Sequence, residues 1–321
     1  MPQLTFGVID AEYSRALDKI ILVSGSPNQL HILDGASGAD SPVALPVAPT
    51  AVSVSPDGLF AAVGHNAHVS YIDLKAAKLL QTYAVDTQVL DVVLSAGYIY
   101  AFPLQDQWES IRCVRLSDGA LTKSSDVAIY AGTTAKLHPA GKVLYTADNG
   151  LSPATLEEFN VANGTPTGGK EYPYFGTYSP CGEVWMSEDG MRIFSRCGSV
   201  FRASPEVAAQ DMTYNGSLSD LQYVQWVDHS SAAAKVAAIP GVRQYNPGTA
   251  QSDAEVHLYA YEYLSLDRVI ALPQIGANGA AHPVHGRFVF FSADGKQLFV
   301  LEQADASSGL LHDFALAQLT P

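Results

Sequence analysis

Apolar and polar residues alternate most clearly in residues 49–85, whose sequence is PTAVSVSPDGLFAAVGHNAHVSYIDLKAAKLLQTYAV. Alternation with a period of two predicts β-strands that bury one face. Ser55-Pro56-Asp57-Gly58 separates the first two runs, and Asp-Gly at such a point is a strong hairpin signal because glycine accepts the positive φ of the turn. The runs VSYIDL and LLQTYAV predict a third and a fourth strand. We therefore expect this segment to form a four-stranded antiparallel unit.

The same turn recurs along the chain. It appears as SPDG (55–58), SAGY (95–98), HPAG (138–141), SEDG (187–190) and SADG (292–295), with weaker counterparts in 14–19 and 227–235. A spacing of about 40 residues between such units is typical of the four-stranded blades of a β-propeller. The units begin near residues 8, 49, 88, 133, 175, 221 and 282. We therefore predict an all-β fold in which residues 1–321 form one seven-bladed β-propeller domain.

The second unit, with the letters VSVSPDG and FAAVGHNAHVSYIDLKAAKLL, resembles the YVTN-type bacterial β-propeller repeat. It also resembles the lactonase-like and PD40 (TolB-type) seven-bladed propellers. The family motif after the turn is Tyr-Val-Thr-Asn, whereas this chain has FAAVGHN, so the match is to the pattern and not to the letters. Because functions within this superfamily are broad, the resemblance implies the propeller fold far more than an activity.

The two ends of the chain are expected to share one blade. LTFGV near the N-terminus would supply the outer strand of the blade that contains GRFVFFSADGKQLFVLEQ. Such closure protects strand edges that would otherwise template aggregation.

Composition narrows the possible partners. Apolar residues make up 47% of the chain and charged residues 16%, which is enough apolar material for a sizeable core. The formal net charge is −14, and a surface that acidic repels nucleic acid and anionic lipid. No apolar run approaches the roughly 20 residues that span a bilayer. Low lysine content with abundant small residues resembles bacterial secreted proteins, so we expect a secreted, extracellular or periplasmic location although the N-terminus has no signal-peptide pattern.

Four segments are longer than ordinary propeller loops, and the strand order predicts that all four emerge on one face. They are residues 103–110, 168–180, 241–256 and 273–286. Their candidate ligand-binding residues are Trp108, Tyr172, Tyr174, Phe175, Tyr178, Arg243, Tyr245, His282 and His285. Such side chains suit a shallow, aromatic-lined site for a sugar, peptide or other polymer. The alternative is that the rings pack the loops against the propeller.

Catalytic and metal signals are weak. His282 and His285 stand three residues apart and would share a metal only if a turn brought them together, so exposed loop histidines are the favoured interpretation. No Gly-x-Ser-x-Gly, Walker or Gly-x-Gly-x-x-Gly motif is present. The sequence therefore predicts no catalytic residue, no metal ligand and no cofactor. A lactonase-like or other hydrolase that uses the axial channel with a divalent cation is the alternative.

The three cysteines divide into a pair and a single residue. Cys181 and Cys197 lie on either side of the SEDG turn, nearly opposite each other if the flanking strands pair. Facing Cβ atoms on adjacent antiparallel strands are about 4.5 to 5.5 Å apart, which is close to disulfide range. We predict a disulfide. The alternative is a redox or metal pair, but the chain has no Cys-x-x-Cys motif and no second pair of ligands to support it. Cys113 alternates with apolar neighbours and is predicted to be a buried free thiol, and Trp185 to be a core residue.

These patterns predict a non-catalytic ligand-binding or scaffold module of an exported bacterial protein. Its loop-rich face would bind a glycan or a protein or peptide ligand, and the chain would be a monomer or part of a longer multidomain protein. A purely structural role in a surface layer or adhesin is a further alternative.

Overall fold

The computed structural model describes residues 3–124, 128–241, 253–277 and 279–321, and its strands are numbered here in chain order. The first sheet contains β1 (Asp10–Ser14), β2 (Lys19–Gly25), β3 (Asn28–Leu33) and β4 (Asp40–Ala44). The second sheet contains β5 (Pro49–Val54), β6 (Phe60–Asp73), β7 (Lys78–Ser95), β8 (Tyr98–Pro103), β10 (Arg112–Arg115) and β11 (Leu121–Lys123). All pairings within these sheets are antiparallel.

Three further sheets of four antiparallel strands follow. The third contains β13 (Thr134–Leu137), β14 (Val143–Ala147), β15 (Leu156–Asn160) and β16 (Thr167–Glu171). The fourth contains β17 (Val184–Met186), β18 (Arg192–Ser195), β19 (Ser199–Arg202) and β20 (Tyr214–Ser217). The fifth contains β21 (Val224–Ser230), β22 (Lys235–Pro240), β23 (Glu255–Ala260) and β24 (Ser265–Ala271).

The sixth sheet contains β27 (Val284–Phe291), β28 (Leu298–Ala304) and β29 (Phe314–Leu319). The start of the described chain joins this sheet, since Gln3 pairs antiparallel with Ala315 and the Leu4 N–H donates to the Phe314 carbonyl at 2.8 Å. Two small hairpins pair β9 (Trp108–Glu109) with β12 (Ile129–Tyr130) and β25 (Ile275–Ala277) with β26 (Ala280–His282). A short 3-10 helix spans Ala306–Ser308.

The predicted count of seven separate four-stranded blades is wrong. Counted as continuous sheets, the described part of the chain has six blades, because the units expected near residues 49 and 88 share one six-stranded sheet. The cause is the length of β6 and β7, which have 14 and 18 residues. The strand β7 pairs with β6 through its first half and with β8 through its second half, so the hydrogen-bonded ladder continues from one unit to the next.

The predicted turn is present at the three Ser-x-Asp-Gly sites, and a side-chain bond that the sequence alone did not predict supports it. In the first example the Ser55 hydroxyl donates to Asp57 Oδ1 at 2.6 Å, and the same carboxylate oxygen accepts the Leu59 N–H at 3.0 Å. Gly58 has φ +72°, a left-handed conformation that favours glycine. Ser187 with Asp189 and Ser292 with Asp294 repeat the hydroxyl–carboxylate bond at 2.6 and 2.8 Å. Each of the three turns connects the first and second strands of its sheet, so all three lie at the same end of the ring.

Aspartates link the innermost strands of neighbouring sheets. One carboxylate oxygen of each accepts a backbone N–H from the next sheet: Asp10 from Val52 at 2.8 Å, Asp91 from Ala135 at 2.8 Å and Asp228 from Phe291 at 2.7 Å. The apolar core lies between the sheet faces, as where Ile21, Val23 and Leu30 of the first sheet meet Val52 and Val63 of the second. Side chains thus hold the ring together where backbone pairing between sheets is absent.

The disulfide between Cys181 and Cys197 is confirmed, with a Cα–Cα distance of 5.5 Å. The register of β17 and β18 pairs Val184 with Ser195, so the two cysteines lie just beyond the paired strand ends. Cys113 is a buried free thiol, as predicted, and burial raises its pKa to about 11. Within the described ranges, no helix is long and apolar enough to span a lipid bilayer.

Candidate functional site

Two parts of the ring are candidates for a ligand site: the loop-rich end and the axial cavity. Because strands alternate in direction, loops that follow the second and fourth strands of a unit lie at one end, opposite the Ser-x-Asp-Gly turns. The described parts of segments 103–110, 168–180 and 273–286 all follow such strands. The pairing of β9 with β12 joins the loop that follows β8 to the connection that follows β11.

Four of the predicted binding residues lie in the loop between β16 and β17, and three of them, Tyr172, Tyr174 and Tyr178, form an aromatic cluster. Tyr172 is only 5% exposed and packs edge-on against Phe201, so its ring belongs to the core. Tyr174 contacts both Tyr172 and Tyr178 edge to face. Its hydroxyl oxygen accepts the Tyr214 N–H at 3.0 Å. The cluster therefore ties the loop to the outer strand β20.

The surface part of this cluster presents flat rings. Tyr178 is 40% exposed and stacks on Tyr214, with ring centroids 3.9 Å apart and planes 13° from parallel. Phe175 is 80% exposed at the loop tip. Tyr178 has φ +55° and Cys181 has φ +59°, backbone conformations that few non-glycine residues adopt. The disulfide at Cys181 anchors the end of this unusual backbone path.

The other predicted binding residues lie in separate loops. Trp108 is 61% exposed and meets Tyr130 edge to face at 5.5 Å between centroids. His285 Nδ1 contacts Asp253 Oδ1 at 2.7 Å and its Nε2 contacts Asp305 Oδ2 at 3.1 Å. Burial alone would lower the pKa of His285, but hydrogen bonds to the two carboxylates raise it. His285 therefore serves as a bridge between loop segments.

His282 is partly buried, and its Nε2 has no hydrogen-bond partner among the residues described. The predicted contacts Arg243 and Tyr245 lie outside the described residues. In the part of the chain that the structure describes, no group of three or more His, Cys, Asp and Glu side chains could hold a metal ion. The hydrolase alternative with a divalent cation remains a prediction from resemblance.

A cavity of about 330 Å³ lies on the axis of the ring, at the end that carries the Ser-x-Asp-Gly turns. Strands β1, β5, β7, β13, β17, β21 and β27 each contribute residues to its wall, so it is the meeting point of all the innermost strands. Its position is opposite the loop-rich end that sequence reasoning favoured. The wall includes charged and aromatic side chains, among them Glu12, Lys136, Trp185, Trp226 and Asp228.

Lys136 is the central cation of the axis. Its Nζ pairs with Glu12 and lies 5.8 Å from the centroid of the Trp226 ring. Burial alone would lower the pKa of Lys136, but Glu12, Asp91 and Asp10 raise it, so the amine stays protonated. Burial raises the pKa of Asp10 to about 7 and that of Asp91 to about 6, although Lys136 opposes both shifts.

Arg15 is a second cation in the cavity wall. Its Nη2 lies 2.9 Å from Asp228 Oδ1 and donates to the His229 carbonyl at 2.6 Å, while its Nε lies 3.4 Å from Glu188. Burial would lower the pKa of Arg15, yet Asp228 and Glu188 raise it. Glu12, Asp228 and Glu188 are therefore paired with the two cations, whereas Asp57 in the same wall is bonded to the Ser55 hydroxyl.

Sequence reasoning missed the cavity residues. A charged residue inside an innermost strand, such as Glu12 in DAEYS or Lys136 in TAKL, was the available signal. Trp185 was expected in the core and is only 3% exposed, but it also lines the cavity. Its indole Nε1 has no hydrogen-bond partner among the described residues.

Comparison with solved structures identifies the architecture. The chain is similar over 100% of its length to hydrazine synthase from Kuenenia stuttgartiensis, with TM-score 0.65, 15% identity and 97% of that chain covered. It is also similar over 100% of its length to the β-propeller domain of Cps50 (Swd1) from Myceliophteria thermophila, with TM-score 0.68, 12% identity and 99% of that chain covered. The chain is a β-propeller.

These likenesses show the fold of the propeller and no more, because both identities are low. No protein-family model matches the sequence, and no curated protein matches it. The YVTN and lactonase-like types therefore receive no specific support. Function has to be argued from the residues of this propeller.

Proposed function

We propose that this β-propeller is a non-catalytic binding module whose loop-rich end holds a glycan against the exposed rings of Phe175 and Tyr178. The observation that carries the proposal is the stack of Tyr178 on Tyr214, in the same loop as the exposed ring of Phe175. A sugar ring has an apolar C–H face and a polar edge, and an aromatic side chain offers a flat apolar surface to the first.

Rigidity of the platform supports the proposal. Tyr174 bonds the backbone of Tyr214, and the disulfide at Cys181 holds the loop where it enters β17. A loop already ordered in the free protein loses little conformational entropy on binding, which favours affinity. The disulfide also favours an oxidising compartment, which accords with the exported location that we propose.

Binding of the purified protein to a glycan array tests this proposal. We expect the double variant Phe175→Ala with Tyr178→Ala to lose the glycan signal. Tyr263→Ala is the matched control, because Tyr263 is also an exposed aromatic residue (76%) but lies between β23 and β24 at the opposite end. Glycan binding that survived the double variant would contradict the proposal, and binding to a peptide array in its place would redirect it to a peptide ligand.

A further inference from the structure

We propose that His285 is a pH-dependent latch, which holds the connection between β28 and β29 against β27 while its ring is protonated and releases it when the proton is lost. The latch joins His285 on β27 to Asp253, which precedes β23, and to Asp305 in that connection. These residues are separate from the aromatic cluster between β16 and β17, so the latch is independent of the proposed glycan site.

The two ring nitrogens of His285 face two different carboxylates. Nδ1 lies 2.7 Å from Asp253 Oδ1, and Nε2 lies 3.1 Å from Asp305 Oδ2. A neutral imidazole has one N–H and one lone pair, whereas an imidazolium donates from both nitrogens. With both aspartates ionised, the two contacts can therefore be hydrogen bonds at the same time only when His285 is protonated.

The charges at the latch favour the protonated ring. Burial alone would lower the pKa of His285, but the hydrogen bonds to Asp253 and Asp305 outweigh burial and raise it. Hydrogen bonds from Ser307 and His285 lower the pKa of Asp305. Within the described ranges, His285 is the cation that pairs with both aspartates.

The other ionisable residues of the elements around His285 are not bonded to it. Glu255 on β23 contacts His257 Nε2 at 2.8 Å. Asp313 accepts the side-chain amide of Gln303, the ladder partner of His285, at 2.7 Å. The remaining ionisable residues are His282 on β26, Arg287 on β27 and Glu302 on β28. The proton on His285 is therefore controlled by Asp253 and Asp305.

Loss of the proton should weaken the contact with Asp305 more than the contact with Asp253. The neutral ring can keep the shorter bond, from Nδ1–H to Asp253, and its Nε2 lone pair then faces the Asp305 carboxylate. Because the folded state raises the pKa of His285, the latch is fully closed below about pH 6.5 and opens as pH rises through the folded-state pKa.

An NMR titration of the His285 ring in the intact protein tests the protonation. The His285 signals are assigned by their loss in His285→Gln. We expect the midpoint to lie above about 6.5, the ordinary value for histidine, and to fall in Asp253→Asn and in Asp305→Asn. Asparagine can still cap the 3-10 helix that Asp305 begins.

Asp313→Asn is the matched control, because it removes a carboxylate from the same connection without touching His285. It should leave the midpoint closer to that of the parent protein than Asp305→Asn does. A parent midpoint at or below about 6.5 would overturn the proposal, and so would a midpoint that neither Asp253→Asn nor Asp305→Asn lowers.

Amide hydrogen exchange on either side of the midpoint tests the release. The Asp305 N–H donates to the Pro283 carbonyl at 2.9 Å, and the Gly286 N–H donates to the Asp253 carbonyl at 2.8 Å. After correction for the intrinsic effect of pH, we expect protection of the Asp305 amide to fall about two- to fivefold above the midpoint, as for other partly exposed ion pairs. Protection of the Gly286 amide should stay constant.

His285→Gln has no titrating ring, so its Asp305 amide should be equally protected at both pH values. Constant protection of the Asp305 amide in the parent protein would overturn the proposal, even if His285 titrates above about 6.5. The measurements on the parent protein need no variant beyond the one used for assignment, so the test stands if an aspartate variant does not fold.

Discussion

Lys136 and Glu12 form an ion pair across the axis of the propeller, although 124 residues separate them in the chain. Lys136 lies on β13 and Glu12 on β1, so the pair joins two sheets that are not neighbours in sequence. Asp10 and Asp91 also act on the amine. Lys136 therefore compensates part of the acidic interior of the ring, and Arg15 pairs with Asp228 and Glu188 in the same wall.

Replacing Lys136 should destabilise the fold. Lys136→Met leaves Glu12 without its counterion, and because each side chain is 26% exposed the cost should fall below the about 3 to 5 kcal/mol of a fully buried ion pair. Chemical denaturation at about pH 8 measures the loss of unfolding free energy. The double variant Lys136→Met with Glu12→Gln should recover part of the loss. A single variant as stable as the parent protein would show that the axial pair contributes nothing to stability.

Glu302 should make the protein less stable as pH rises. It is fully buried, its carboxylate oxygens have no hydrogen-bond partner within the described ranges, and burial raises its pKa to about 8. Since the folded state binds this proton more tightly than the unfolded state, stability is full below about pH 4.5 and is lost progressively up to about pH 8.

Glu302→Gln, which resembles the protonated side chain in shape, should raise the melting temperature near pH 8 and change it little near pH 5. Thermal unfolding at the two pH values is the measurement. The exposed Glu206 provides the control, and Glu206→Gln should not alter the pH dependence. An equal effect of Glu302→Gln at both pH values would argue against titration of this group.

Burial of His229 should make the protein less stable as pH falls, the opposite of the effect of Glu302. Burial lowers the pKa of this histidine to about 4, and its Nδ1 accepts the Glu188 N–H at 3.1 Å. Because the unfolded state binds the proton more readily, stability is lost as pH falls from about 6.5 towards about 4. His229→Asn keeps an acceptor without a titrating ring and should flatten this acid limb in denaturation curves. His312→Asn, at an exposed position, should leave it in place.

The disulfide should stabilise the fold by about 3 kcal/mol, as expected for the closure of a loop of this length. The bond links residues 16 apart in the sequence. Cys181→Ser with Cys197→Ser should lower the unfolding free energy by that amount and weaken ligand binding at the Phe175 loop. In the parent protein, denaturation without reductant should expose one reactive thiol, that of Cys113. Detection of three thiols would show that the bond does not form.

Local features of this propeller were predictable because they depend on neighbours in the chain. The Ser55-to-Gly58 turn, the closeness of Cys181 and Cys197 and the burial of Cys113 follow from alternation and turn chemistry within one hairpin. The number of sheets was not predictable in this way. It depends on whether the hydrogen-bonded ladder breaks within β7, between the residues that pair with β6 and those that pair with β8. The alternation of apolar and polar residues is the same whether or not the ladder breaks there.

By itself the sequence determined that the chain folds into repeated antiparallel β-units with tight turns, because strand period and turn residues are properties of short segments. Only the tertiary structure decided where the chemistry lies. Closing the ring brings Glu12 to Lys136 and Trp185 to Trp226, and it turns residues of the innermost strands into the wall of one cavity. It also buries Tyr172 while leaving Phe175 exposed three residues later. Such placements result from contacts between distant strands, which no local pattern encodes.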